Sequence, residues 1–200
     1  MTSCSAICTI TLMPRPKSQD KRSAIIDAAT RVIVSQGLSA PTALIAKEAG
    51  IANGSLFTYF ATKTELYNQL YLELKTEMAR TAIKNMPADG NPRDRLFTAW
   101  QNWTTWSTKY PDKRKAMGQL AVCDEITAET RAAGHRAMQP IVGLLEEIRA
   151  NGSMSKVPMP FVGGLMNSIA EATMDYMAQD PKKAKEHAKV GFEALWRLIS

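Results

Sequence analysis

The chain has 200 residues, 45% of them hydrophobic and 22% charged, with a formal net charge of +6. These are ordinary values for a globular chain with ample core, and no apolar run approaches the roughly 18 to 20 residues of a membrane span. Three cysteines without framework spacing (Cys4, Cys8 and Cys123) argue against a disulfide-stapled secreted fold, so the expected compartment is the cytoplasm.

The charge is unevenly placed. Residues 1–63 carry seven Lys and Arg (Arg15, Lys17, Lys21, Arg22, Arg31, Lys47 and Lys63) against three acids, Asp20, Asp27 and Glu48. An amino-terminal excess of positive charge suits a polyanion.

In chain order, residues 1–17 read as an extended arm. Their apolar stretch is short and broken by polar residues, no positive charge opens it and no cleavage site follows, so a signal peptide is not expected. Met13, just before PRPKSQDKR, is an alternative start. From about Ser18 a helix is expected, because Ile25, Ile26, Ala29, Val32 and Ile33 recur at three- and four-residue spacing. Gly37 suits its C-terminal stop. Pro41 then fits the first turn of a short helix from Thr42 to Ala49, and Gly50 breaks it. A second short helix follows over about Asn53 to Phe60, and small residues at Ala46, Ala49 and Gly54 let the pair pack closely. This is a helix-turn-helix arrangement, its second helix placed for a DNA major groove.

Beyond it the spacing predicts a long helix from Lys63 to about Met86, with Leu66, Leu70, Leu74 and Met78 inward. A loop covers Pro87 to Pro92. Helices then run over Arg93–Lys109, from Pro111, and over Thr127–Ala150, where Pro140 should kink or split the run. The last two are expected over Val157–Gln179 and Pro181–Ile199. No strand pattern or repeat is present, so the fold class is all-α with about nine helices. The expected organisation is an arm at 1–17, a DNA-binding domain at 18–64 and a helical regulatory and dimerisation domain at 65–200.

The stretch from Ile25 to Leu66 resembles the DNA-binding domain of the tetracycline-repressor-like (TetR) family of bacterial regulators. The resemblance is carried by Ile26, Ala28, Ala29 and Gly37, then by Ile45-Ala46, Ala49-Gly50-Ile51, Gly54-Ser55-Leu56-Phe57, Tyr59-Phe60, Lys63 and Leu66. Three departures stand out. Ala40-Pro41 replaces the Ser or Thr that usually opens the second helix. The loop from Gly37 to Ile45 is one residue shorter than usual. Phe57 stands where a tyrosine commonly bonds a phosphate.

If the second helix of the motif enters the major groove, its first residues meet base edges. Asn53 can read adenine in a bidentate pair, and it also suits an N-cap. Gly54 allows close backbone approach, while Ser55 and Thr58 can bond bases or phosphates. Tyr59 and Lys63 are placed for phosphates, with Thr42 in support. Phe57 suits a thymine methyl or simple packing, whereas Leu56 and Phe60 read as core.

The resemblance also implies a homodimer, built on the last two helices, that binds a palindromic operator on double-stranded DNA. Met166, Ile169, Ala170, Met174, Met177, Val190, Phe192, Leu195 and Trp196 are the expected apolar surface for that interface. Trp100, Trp103, Trp106, Met117, Cys123 and Met138 are the candidates to line a cavity for a small apolar or aromatic effector, and each equally suits plain core. The function read from this is a ligand-responsive transcriptional regulator, most simply a repressor.

The rival is an all-helical enzyme or carrier with no DNA role, but no nucleophile motif, phosphate loop, cofactor signature or metal-ligand cluster supports it. The pairs Glu125/Glu129 and Glu171/Asp175 lie one helical turn apart and read as solvent-facing charges, His135 and His187 as ordinary imidazoles, and Cys123 as a packed thiol.

Overall fold

The computed structural model describes residues 17–150 and 152–200. The arm expected over 1–17, with Cys4, Cys8 and Arg15, lies outside them except for Lys17, which opens the first helix. The described residues form ten α-helices and no strand: α1 (Lys17–Gln36), α2 (Thr42–Glu48), α3 (Asn53–Leu56), α4 (Lys63–Ala82), α5 (Pro92–Lys109), α6 (Pro111–Ala121), α7 (Ala128–Ala137), α8 (Gln139–Arg149), α9 (Met159–Gln179) and α10 (Ala184–Ile199). A single 3-10 turn, Pro181–Lys183, joins the last two. The tenth helix arises at Pro140, which sits in the first turn of α8 and divides the expected single run into α7 and α8.

Backbone chemistry sets the helix ends. Gly37 stops α1 at φ +78°, its N–H bonded to the Ile33 carbonyl at 2.9 Å. Gly50 stops α2 at φ +70°; its N–H reaches Lys47 O and the Ile51 N–H reaches Ala46 O, which is the Schellman pattern. Pro41 precedes α2 in extended conformation with no side-chain cap, so proline geometry and not Ser39 begins that helix. Before α4, Thr62 accepts the Glu65 N–H at 3.0 Å, and Glu65 Oε2 accepts the Ala61 N–H at 2.8 Å. This is a variant of the capping box, written in the sequence as Thr62-x-x-Glu65, in which the glutamate reaches the N–H one residue before the N-cap.

Two apolar cores result. The first joins Ile25, Ile33, Ile45, Leu56 and Phe60 of α1–α3 and the residues just after them to Leu66, Leu70 and Leu74 of α4 and to Trp106, Met117, Leu120 and Cys123. The second gathers Leu96 and Trp100 of α5, Leu144 and Leu145 of α8, Val162, Ala170 and Met174 of α9, and Phe192, Leu195 and Ile199 of α10. Helix α4 belongs to both, through Met78 in the first and Ala82 in the second. The helix-turn-helix unit therefore sits directly on α4, which also packs into the second core.

Helices α9 and α10 pack closest of all. A Cβ on Gly191 would fall 2.1 Å from Thr173 Oγ1, so only glycine lets α10 reach this position. This packing corrects the expected dimer surface. Ala170, Met174, Met177, Phe192 and Leu195 are buried inside the protomer's own second half, because they face the partner helix or α5. Met166, Ile169 and Trp196 are only partly covered. Of the expected residues Val190 does face outward, exposed at 69%, and the outward face of α9 carries Phe161 and Tyr176, exposed at 60% and 61%. Leu165, Ala172 and Ala194 lie along the same faces.

Candidate nucleic-acid interface and regulatory cavity

Helix α3 rests on the first core through Leu56, which is buried, and Phe60 just beyond its end is buried as well. The hydrogen bond from Phe60 N–H to Leu56 O extends one helical turn past the last regular residue. With that anchor fixed, Asn53, Gly54, Ser55 and Thr58 face outward and Phe57 is 43% exposed. Phe57 thus belongs to the outer surface and does not pack in the core. Ala52 precedes α3 without a side-chain cap, so Asn53 is the first helical residue and not the N-cap. Its amide makes no hydrogen bond among the described residues, which leaves both its donor and its acceptor available for a base edge.

Tyr59, Lys63 and Thr42 form a half-buried rim around this surface. The Lys63 ammonium sits 5.3 Å from the centre of the Tyr67 ring and has no carboxylate partner among the described residues. Tyr59 shares a shallow groove with Ser18, Gln19 and Arg22. Arg22, one of the amino-terminal cations, belongs to α1: it stands 5.4 Å over the Phe60 ring and pairs with Glu73 of α4 at 2.6 Å. Arg31 is held by Glu48 at 2.7 Å. Lys21 of α1 is exposed.

The foot of α4 is fastened to the loop between α6 and α7. Thr64 Oγ1 donates to Glu125 Oε2 at 2.9 Å, Asn68 Nδ2 donates to the Glu125 carbonyl at 2.8 Å, and Asn68 Oδ1 accepts the Thr127 N–H at 2.9 Å. The Tyr67 hydroxyl donates to Leu38 O at 2.9 Å. Burial, with Glu125 and Cys123 adding to it, raises that phenol to about 12. Sequence periodicity does not reveal these polar ties, since Thr64 and Asn68 read as ordinary exposed positions.

Three of the four paired carboxylates have structural partners. Arg114 of α6 bonds both Glu171 and Asp175 of α9, and Glu125 is held by Thr64. His187 faces Asp180 at 3.4 Å, and His135 is exposed.

The six cavity candidates divide between the two cores. Trp100, Trp103 and Met138 line a cavity with Met78, Ile141 and Met166. Its wall is almost wholly apolar and its volume is about 20 Å³, close to the space of one water molecule. Trp106, Met117 and Cys123 are instead packed in the first core. Successive residues of a helix turn by 100°, so Trp106 points 120° away from Trp100 while Trp103 lies between them. Trp106 Nε1 accordingly donates to Glu77 of α4 at 2.9 Å. Trp103 and Met138 pack against both cores, so the cavity lies at their junction.

Residues 25–70 match the sequence model of bacterial regulatory proteins of the tetR family. Over 70 residues the chain is 34% identical to YhgD, an uncharacterized helix-turn-helix-type transcriptional regulator of Bacillus subtilis strain 168. That alignment spans 34% of this chain and 37% of YhgD. The fold as a whole is similar to a candidate tetR-family transcription regulator from Shewanella sp. PV-4, with a TM-score of 0.80 and 25% identity over 90% of this chain and 97% of that one. It is also similar to the transcriptional regulator FadR of Bacillus subtilis in complex with stearoyl-CoA, with a TM-score of 0.64 and 17% identity over 89% of this chain and 97% of that one.

Proposed function

Because the chain belongs to the tetR family of bacterial regulatory proteins, we propose that it is a ligand-responsive, sequence-specific DNA-binding regulator, acting as a repressor at a palindromic operator. The observation that carries this reading is the surface of α3. Asn53, Gly54, Ser55 and Thr58 project outward beside Phe57, on a turn pinned from behind by Leu56 and Phe60. Asn53 and Ser55 supply base-edge contacts, Phe57 meets a thymine methyl, and Tyr59, Lys63 and Thr42 hold the phosphate backbone.

One such helix binds weakly, so a second copy of the chain completes the site. Phe161, Tyr176 and Val190, exposed on α9 and α10, provide an apolar two-fold surface. Two α3 helices related by that axis read half-sites about one helical turn apart. The arm at 1–17, the DNA-binding domain at 18–64 and the regulatory domain at 65–200 divide these tasks. Among the described residues no helix is long and apolar enough to cross a membrane; a regulator that binds the chromosome works in the cytoplasm.

Effector binding at the junction cavity shifts the population of α4 positions. An occupied cavity must push Met78 of α4 away from Trp103 and Met138. The foot of that helix, held by the Asn68 bridge, carries the movement to α3 and spoils the spacing of the two α3 helices. That a chain of this fold, FadR, holds stearoyl-CoA supports an apolar effector. Selection from a random DNA library by the full-length protein should return an inverted repeat with half-sites about one turn apart; enrichment of single unpaired half-sites would overturn the two-fold reading.

A further inference from the structure

The helices α4 and α7 run side by side, and their residues pair in register. Asn68 faces Thr127. One to two turns further, Tyr71 and Lys75 face Gly134, where an added Cβ would stand 3.1 Å from Tyr71 Cε1 and 3.5 Å from Lys75 Cγ. A turn beyond that, Met78 and Met138 form part of the cavity wall. The seam at Gly134 is thus continuous with the apolar cavity.

Its polar groups lack counter-charges. The Lys75 ammonium lies 5.9 Å from the centre of the Tyr71 ring and pairs with no carboxylate among the described residues. Burial alone lowers its pKa from the ordinary value. Arg131, whose charge bears on the Tyr71 hydroxyl, donates to the carbonyl oxygens of Ala121 and Cys123, so its charge also meets no acid. The Tyr71 side chain is 3% exposed and its hydroxyl makes no hydrogen bond among the described residues. Other half-buried cations are neutralised, among them Lys113 by Glu77, Arg114 by Glu171 and Asp175, and Arg93 by Glu193. Positive charge left uncompensated beside an apolar cavity complements an anion attached to an apolar body.

We propose that Lys75, Tyr71 and Arg131 bind the anionic head of the effector, a single-tailed carboxylate whose hydrocarbon part enters the cavity between Met78, Trp103 and Met138. This rests on the effector reading above and names the chemical class. Lys75 supplies the charge, Tyr71 donates its hydroxyl, and Arg131 adds positive potential from its fixed position. The unbranched Met78 and Met138 side chains yield to let the tail in.

The test compares decanoate with 1-decanol on the full-length protein, by tryptophan fluorescence and titration calorimetry. Decanoate should bind about tenfold tighter, the worth of one charge-assisted contact. In Lys75→Gln that advantage should vanish while decanol affinity stays, and Lys75→Arg should restore it. Equal binding of the two ligands to the wild-type protein, or an undiminished preference in a folded Lys75→Gln, would overturn the head-group assignment and leave the effector reading standing. Failure of both ligands to bind the wild-type protein would overturn the carboxylate proposal and count against the cavity as an effector site.

Discussion

Asn68 of α4 is bonded to Thr127 at the start of α7: its Oδ1 accepts the Thr127 N–H at 2.9 Å. The same side chain donates to the Glu125 carbonyl at 2.8 Å, so one amide fastens the amino-terminal end of α4 to the loop between α6 and α7. Asn68→Ala should lower stability by about 1–2 kcal/mol through three lost hydrogen bonds, two across to the α6–α7 loop and one to Thr64 O within α4. Operator affinity without effector should change little, while effector-induced release should weaken. Chemical denaturation together with operator binding at saturating effector checks both parts; unchanged release would separate Asn68 from the coupling.

At the DNA surface, Asn53 and Lys63 should behave differently. Asn53→Ala should relax discrimination at one base position by about 1–3 kcal/mol. Lys63→Ala should weaken binding alike on all sequences and reduce the salt slope by about one. Affinities for the operator and for point-substituted operators at several salt concentrations distinguish the two patterns.

The packing of α10 on α9 depends on Gly191. Gly191→Ala puts a methyl group onto Thr173 and should cost about 1–3 kcal/mol. Gly163→Ala in α9 is the control, since nothing lies within 4 Å of its added Cβ; it should be neutral or stabilise by up to about 1 kcal/mol. Urea midpoints of the two variants give the comparison.

On the outer face of the same helices, Tyr176→Glu and Val190→Glu should shift the protein toward monomer in sedimentation velocity and weaken operator binding together. Charge at either position is solvated in a monomer and desolvated in a dimer. Variants that stay dimeric would move the interface elsewhere.

Tyr67 predicts an alkaline limit. Its phenol titrates near 10 when unfolded and at about 12 in the fold. The raised value means that the folded state favours the neutral form. Its contribution is fully present below pH 10 and is lost as pH rises toward 12, at up to about 1.4 kcal/mol per pH unit. Tyr67→Phe should remove that component of the slope, at a cost of about 1 kcal/mol at neutral pH for the lost bond to Leu38. Urea unfolding of both proteins from pH 8 to 11.5 tests the sign.

Much of this architecture was legible in the sequence. The apolar spacing from Ile25 to Ile33, the stops at Gly37 and Gly50 and the break at Pro140 are local signals, and local chemistry decides them. The Thr62-x-x-Glu65 cap before α4 is a local signal of the same kind. The inner and outer faces of α9 and α10 were not, because both helices carry two apolar stripes: Met174 and Tyr176 are similarly apolar in sequence, and only packing against α5 and the partner helix tells which is inside. A tryptophan every third residue sweeps around α5, so Trp100, Trp103 and Trp106 cannot share one face, and only packing decides that Trp106 is the one held in the first core. Lys75 gave no signal, because its lack of a partner depends on which residues α7 brings beside it.

The central claim is that α3 reads DNA sequence. Its most direct test is equilibrium binding of the full-length protein, without effector, to DNA flanking its own gene and to random DNA of equal length at physiological salt. Specific binding should be tighter by about a thousandfold or more. Equal affinity for the two DNAs, from a folded dimer, would contradict the account.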